Sequence, residues 1–267
     1  LQQRFLECAA ADCTLRATRL DNLSNFRSIS EAPDSGRTAI ALGRVDARLS
    51  APEIGIGQTG LSGAWYTPQI SGQGFFLEYF PQNKLLFAPW FTFSVLDVAS
   101  SGATMDADSV ADLRWYSLSG IVEPGAKVAQ LEIRRNDAGA FNSAPITAST
   151  VVGTATLRAQ DCNRATLEFE FISSEAQGKY GVLPLDRLTG GTAPCQLSGG
   201  QTQPGRDARP ARGGFDGRQS GSWYQPQTAG QGLMMTVQPA TASAPGFFFG
   251  GWFTYDAGAP NDPTSQH

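Results

Sequence analysis

The chain has 267 residues, a net charge of −4 and only 16% charged residues, which suits one large or two ordinary domains and is too apolar overall for wholesale disorder. The acidic balance, with a pI near 5.1, lacks the basic face that phosphate recognition needs, so no nucleic-acid partner is expected. With 30 glycines, 16 prolines and 10% aromatics, the composition predicts an all-β, turn-rich protein.

Residues 1–60 form an N-terminal segment of mixed character. Cys13–Leu20 reads as one strand, and Thr38–Leu49 as one or two. Cys8 and Cys13 stand in a C-x4-C loop. Asn22-Leu-Ser24 matches an N-glycosylation acceptor. The glycine-rich run Ile54–Gly60 predicts a flexible lead-in.

Residues 61–197 predict a complete antiparallel meander or barrel-like module of about eight strands. The strands are Gly63–Thr67, Gly74–Phe80, Lys84–Ser94, Leu113–Gly120, Val128–Arg135, Val152–Arg158, Ala165–Phe171 and Tyr180–Leu185. In the fifth, Ala129, Leu131, Ile133 and Arg135 face one way and Val128, Gln130, Glu132 and Arg134 the other. Pro89 inside the third predicts an edge position or a bulge. Residues 198–219 read as a Gly/Pro/Arg linker with few large apolar groups.

Residues 220–267 restart the module. Gly63–Gly74 recurs as Gly221–Gly232 with eight of twelve positions identical, and Phe87-x-x-Trp90-Phe91-Thr92 recurs as Phe249-x-x-Trp252-Phe253-Thr254. Five strands of the module have no counterpart in this stretch. A bare three-stranded sheet rich in Phe and Trp would be marginal and adhesive at its edges. Strands from residues 1–60, another subunit, or a longer array are the candidates to cover it.

Each chemical motif has a structural and a functional reading. Gly-x-Trp-Tyr predicts Trp65 and Trp223 plugging a barrel end, with Tyr66 and Tyr224 on the outer rim. The functional reading is an exposed aromatic platform for a sugar polymer, joined by Trp115 and Tyr116. Gly72-Gln73-Gly74 and Gly230-Gln231-Gly232 predict tight loops. Asp106–Asp112 offers alternate oxygen ligands but lacks the glycine and final glutamate of a calcium loop, so a solvated hairpin loop is the preferred reading.

Acyl-transfer chemistry has no placed histidine, since His267 is terminal and no other exists. Glu78 and Glu132 would serve glycoside hydrolysis only if the fold brought them together. The even set Cys8, Cys13, Cys162 and Cys195 predicts two disulfides, one tying Cys162 at a strand end to Cys195 at the module's exit. No metal or cofactor is expected. No run of about 18 apolar residues exists to form a membrane-crossing helix.

The segments Gly63–Gly74, Trp90–Phe93, Trp115–Gly120 and Gly153–Leu167 resemble a repeat of secreted and cell-surface proteins of Gram-negative bacteria. That repeat reads G-x-W-[WY]-x-P-x-x-x-G-x-G, then W-F-T-Y-D, W-Y-x-L-x-G and G-T-A-T-L-x-x-x-D-C-N-x-A-T-L. Phe93-Ser94 departs from its Tyr-Asp, which Tyr255-Asp256 keeps. The resemblance implies an all-β barrel-like fold, a secreted or cell-surface setting and a non-catalytic role. The expected function is a structural or adhesive repeat that self-assembles through sheet edges into a filament by strand complementation. The alternative is a module that binds polysaccharide on Trp and Tyr faces, or a small apolar ligand inside the barrel.

Overall fold

The computed structural model describes residues 2–9, 12–19, 38–41, 54–68, 72–93, 113–137, 139, 148–174, 176–205, 216–228, 230–238, 240 and 245–255. The protein is nearly all β. In the N-terminal segment, β1 (Gln2–Ala9) and β2 (Asp12–Arg19) form an antiparallel pair, and β3 (Thr38–Ala41) follows. Then come β4 (Gly63–Tyr66), β5 (Gly74–Phe80), β6 (Leu85–Phe93), β7 (Leu113–Ile121), β8 (Ala129–Asp137), β9 (Ala148–Asp161), β10 (Arg164–Phe171) and β11 (Lys179–Arg187).

These last eight strands pair antiparallel in sequence order, and β11 returns to β4 through Asp186↔Tyr66 and Arg187↔Trp65. The sheet therefore closes into an up-and-down barrel, which removes its edges. Because β4 is short, it covers only one end of the β11 edge. Strand β3 lies parallel along the rest, at Lys179–Val182.

Alternation explains the closure. In β8, Ala129, Leu131 and Ile133 are buried while Gln130 and Glu132 are exposed. In β10, Ala165, Leu167, Phe169 and Phe171 point in and Arg164 and Glu168 point out. Inside, Trp90 stacks on Phe75 at 5.2 Å and meets Phe169 and Tyr116 at 5.2 and 5.8 Å. The residual void among Trp65, Phe75, Leu118 and Leu167 is about 10 Å³. That is too small for more than a water, so the small apolar ligand expected inside the barrel has no room there.

Arg187 closes the seam. Its guanidinium donates to the carbonyls of Gly60 (2.8 Å), Cys162 (3.1 Å) and Ser62, and lies 5.5 Å over the Trp65 ring. Burial pushes its pKa down to about 10, so it stays charged at neutral pH.

Several sequence expectations need correction. Ile54–Gly60 is no loose lead-in, because Ile54 bridges to Ala159 and Ile54 and Ile56 are buried in the barrel core. Its glycines serve close approach: a Cβ on Gly60 would sit 2.3 Å from the Pro194 carbonyl oxygen. Pro89 lies in a central strand. It keeps register with Ser117 on β7, while the ladder to β5 breaks between Phe75↔Trp90 and Glu78↔Phe87. Cys8 and Cys13 sit opposite one another on paired strands, not in a loop. Residues 42–49, Asn22–Ser24 and the acidic stretch Asp106–Asp112 lie outside the described residues.

The start of the expected linker is also ordered. Strand β12 (Cys195–Gln196) pairs with β13 (Thr202–Gln203), and Cys162 is bonded to Cys195. This bridge ties the β9–β10 turn to the module's exit across a separation of 33 residues. Closing a loop of that length restricts the unfolded chain by about 3–4 kcal/mol. Converting both Cys162 and Cys195 to serine is expected to lower unfolding stability by that amount in urea titration. A loss under about 1 kcal/mol would show that the bridge is not a staple.

Candidate functional site

The second module comprises β14 (Gly221–Trp223), β15 (Gly232–Gln238) and β16 (Phe247–Phe253), an antiparallel three-stranded sheet. Its local chemistry copies the first module. Trp65 Nε1 donates to the Leu61 carbonyl at 3.0 Å, and Trp223 Nε1 to the Gln219 carbonyl at 2.9 Å. The Tyr79 amide donates to Ser62 Oγ, and the Val237 amide to Ser220 Oγ. Thr92 and Thr254 each donate to the glutamine of their loop, Gln73 and Gln231, at 2.7 Å. Gly72 and Gly230 hold φ of 79° and 78°, the left-handed geometry that makes glycine the natural residue in both loops.

A short 3-10 turn at Gly217–Gln219 sets the entry to β14. Asp216 caps it by accepting from the Arg218 amide at 2.9 Å. The Arg218 guanidinium, bonded to the same carboxylate at 2.8 Å, holds Asp216 below the usual carboxylate range.

The two modules meet back to back. Phe76 and Phe91 on the outer face of the barrel, with Ala64 and Trp115, pack on Met234, Phe249, Phe253 and Tyr255. Phe76 stacks on Phe249 at 5.4 Å, and Phe91 meets its own counterpart Phe253 at 6.5 Å. Equivalent strands thus face each other as in a two-fold contact. Polar ties surround the rings. Glu78 accepts from the Ser222 amide at 2.9 Å and from its hydroxyl, and Trp115 Nε1 donates to the Thr254 carbonyl at 3.3 Å. Burial and Asp137 push the Tyr255 phenol up to about 12.

The other face of the second sheet is exposed at Trp223, Phe248 and Trp252, while Met235 and Val237 in the same face are buried. By the repeat, Trp223 and Trp252 correspond to Trp65 and Trp90, and Phe248 corresponds to Leu86. In the barrel Trp65 and Trp90 are 2% and 3% exposed, and Leu86 is fully buried. In the second module Trp223, Phe248 and Trp252 are 52%, 57% and 60% exposed. An open cleft of about 450 Å³ runs between Trp223, Tyr224, Leu233 and Trp252, rimmed by Gln225 and Gln231. Among the described residues its lining holds no carboxylate, imidazole, thiol or ammonium group.

Of the residues singled out from sequence, Trp65 and Tyr116 are barrel core. Trp115 lies under the second module and Tyr66 is half-buried, while Trp223 and Tyr224 are exposed. Trp65, Trp115 and Tyr116 therefore form no exposed platform, because strand closure and module packing bury them. Trp252 and Phe248 belong to the open face and were missed. Their signal was present, since the repeat maps Trp252 onto Trp90 and alternation maps Phe248 onto Leu86. Glu78 and Glu132 are not a pair: Glu78 holds Ser222, and Glu132 is salt-bridged to Arg134 at 2.6 Å on β8. Among the described residues no cluster of metal-ligating side chains exists. No helix there is long and apolar enough to cross a membrane, which does not bear on crossing by strands. No family model, curated protein or solved structure matches the chain.

The same substitution should separate the two environments. Trp65→Ala is expected to cost about 3–5 kcal/mol, the range for a large buried ring. Trp223→Ala is expected to cost under about 1 kcal/mol. Denaturant titration of both variants checks this, and equal costs would mean that the second face is not open.

Proposed function

We propose that the chain is a non-catalytic, extracellular structural or adhesive β-repeat protein that associates by adding β-strands to its half-built second module. The observation that supports this reading is the exposure of Trp223, Phe248 and Trp252, whose counterparts form barrel core. Residues selected for a barrel interior, held in the same local geometry, make a poor solvent surface and a good template for strand addition. The Cys162–Cys195 bridge suits an oxidising compartment. The repeat pattern of secreted and surface proteins points the same way. Among the described residues the cleft is lined by rings, amides and a hydroxyl rather than by an acid–base pair.

One feature favours a second reading. Trp223, Tyr224 and Trp252 flanked by Gln225 and Gln231 also suit a sugar polymer, with ring stacking and amide hydrogen bonds.

Light scattering after size exclusion tests the assignment. The 28.4 kDa chain is expected to grow in mass with concentration. A Phe248→Ser/Trp252→Ser variant is expected to stay monomeric. A chain that remains monomeric at every concentration contradicts self-association. If its tryptophan emission also responds saturably to one member of a glycan panel, the polysaccharide reading replaces it.

A further inference from the structure

We infer that the edge of β16 away from β15 is an acceptor for one antiparallel strand of the pattern aromatic–Tyr–x–Leu–x–Gly, in the register that β7 takes on β6. This rests on the reading that added strands complete the second module.

Three observations on the molecule support it. First, β16 pairs with β15 across seven residues, and its other edge is unpaired among the described residues. Gly251 stands where β6 has Pro89, so β16 carries no proline to interrupt its ladders.

Second, inward side chains on β6 and β7 alternate in size. Leu86 faces Gly120, Ala88 faces Leu118 and Trp90 faces Tyr116. The corresponding row on β16 reads Phe248, Gly250, Trp252. It has the same large–small–large profile, so Gly, Leu and Tyr on an incoming strand would fit it in that order. Tyr116 lies 5.8 Å from Trp90 in the barrel, whereas Trp252 is largely exposed.

Third, the packing between modules is lopsided in one respect. Trp115 of β7 contacts Phe253 and Tyr255 of the second module at 5.7 and 6.1 Å, and both are buried. Their counterparts Phe91 and Phe93 in the first module are only half-buried. A strand on β16 would carry its first aromatic residue onto Phe91 and Phe93, by the same near two-fold relation. One added strand would thus cover Trp252 and extend the existing aromatic contact.

The donor is another polypeptide bearing this repeat. The chain's own β7 is paired on both edges, to β6 and β8, and using it would open the barrel.

The test uses the full chain and a synthetic peptide of the Leu113–Ile121 sequence, with Phe in place of its Trp so that emission reports the protein alone. The expected result is saturable binding with a blue shift of protein emission. At about ten times the peptide's Kd, amide exchange in Phe247–Phe253 is expected to slow about tenfold. A peptide carrying Leu118→Asp, and a scrambled peptide, should do neither. Equal effects from all three peptides, or none from the first, would overturn the inference. The outcome is separable from the assembly reading. Mass growth without a peptide response removes the register and leaves assembly standing, and a monomer that binds the peptide does the reverse.

Discussion

The arrangement of the protein depends on the aromatic outer face of β5 and β6. A barrel strand normally buries one face and wets the other. Here Phe76, Phe87 and Phe91 lie outside the barrel, on strands whose inward row is already Phe75, Leu77, Leu86, Ala88 and Trp90. Both faces are apolar, so a second layer must cover the outside. The second module provides it with the same face of its own equivalent strands. Burying rings such as Phe76 and Phe253 is worth about 1.5–3 kcal/mol each, and the half-buried Phe91 and Phe249 add less. The hydrogen bonds from Ser222 to Glu78 add about 1–3 kcal/mol and fix register more than they drive association.

That solution also decides which face of the second sheet turns outward. With outer faces joined, the inward face of the second sheet points away from the barrel. In the first module five further strands close over this face, and Trp90 finds Tyr116, Phe169 and Phe171 around it. In the second, Trp252 and Phe248 meet solvent. This face presents exposed rings and, among the described residues, a β16 edge with no second partner strand.

Much of the first module was legible in the sequence. Alternation in Ala129–Ile133 separated the row that is buried from the row that is exposed, because a half-polar strand has only one way to face a core, and Ala165–Phe171 was legible as a strand. The Cys162–Cys195 bridge was legible from its place at a strand end and a module exit. The repeat located the second module, since Trp and Gly at fixed spacing carry specific local hydrogen bonds. Less legible was anything set by tertiary contact. Glycines at 55, 57 and 60 look flexible in one dimension, yet backbone from residues 123–125 and 194–195 packs against them. Trp115 reads as a platform residue until the second sheet lands on it. Trp252 was hidden for the converse reason: its pattern is that of core, yet it is 60% exposed.

The central claim is that two modules sit back to back with the second left open. Acrylamide quenching of the five tryptophans tests it most directly, using variants that each retain a single Trp. The account predicts steep quenching for Trp223 and Trp252 and strong shielding for Trp65, Trp90 and Trp115. Shielding of Trp223 and Trp252 to the level of Trp65, or a Trp115 as accessible as Trp252, would contradict it.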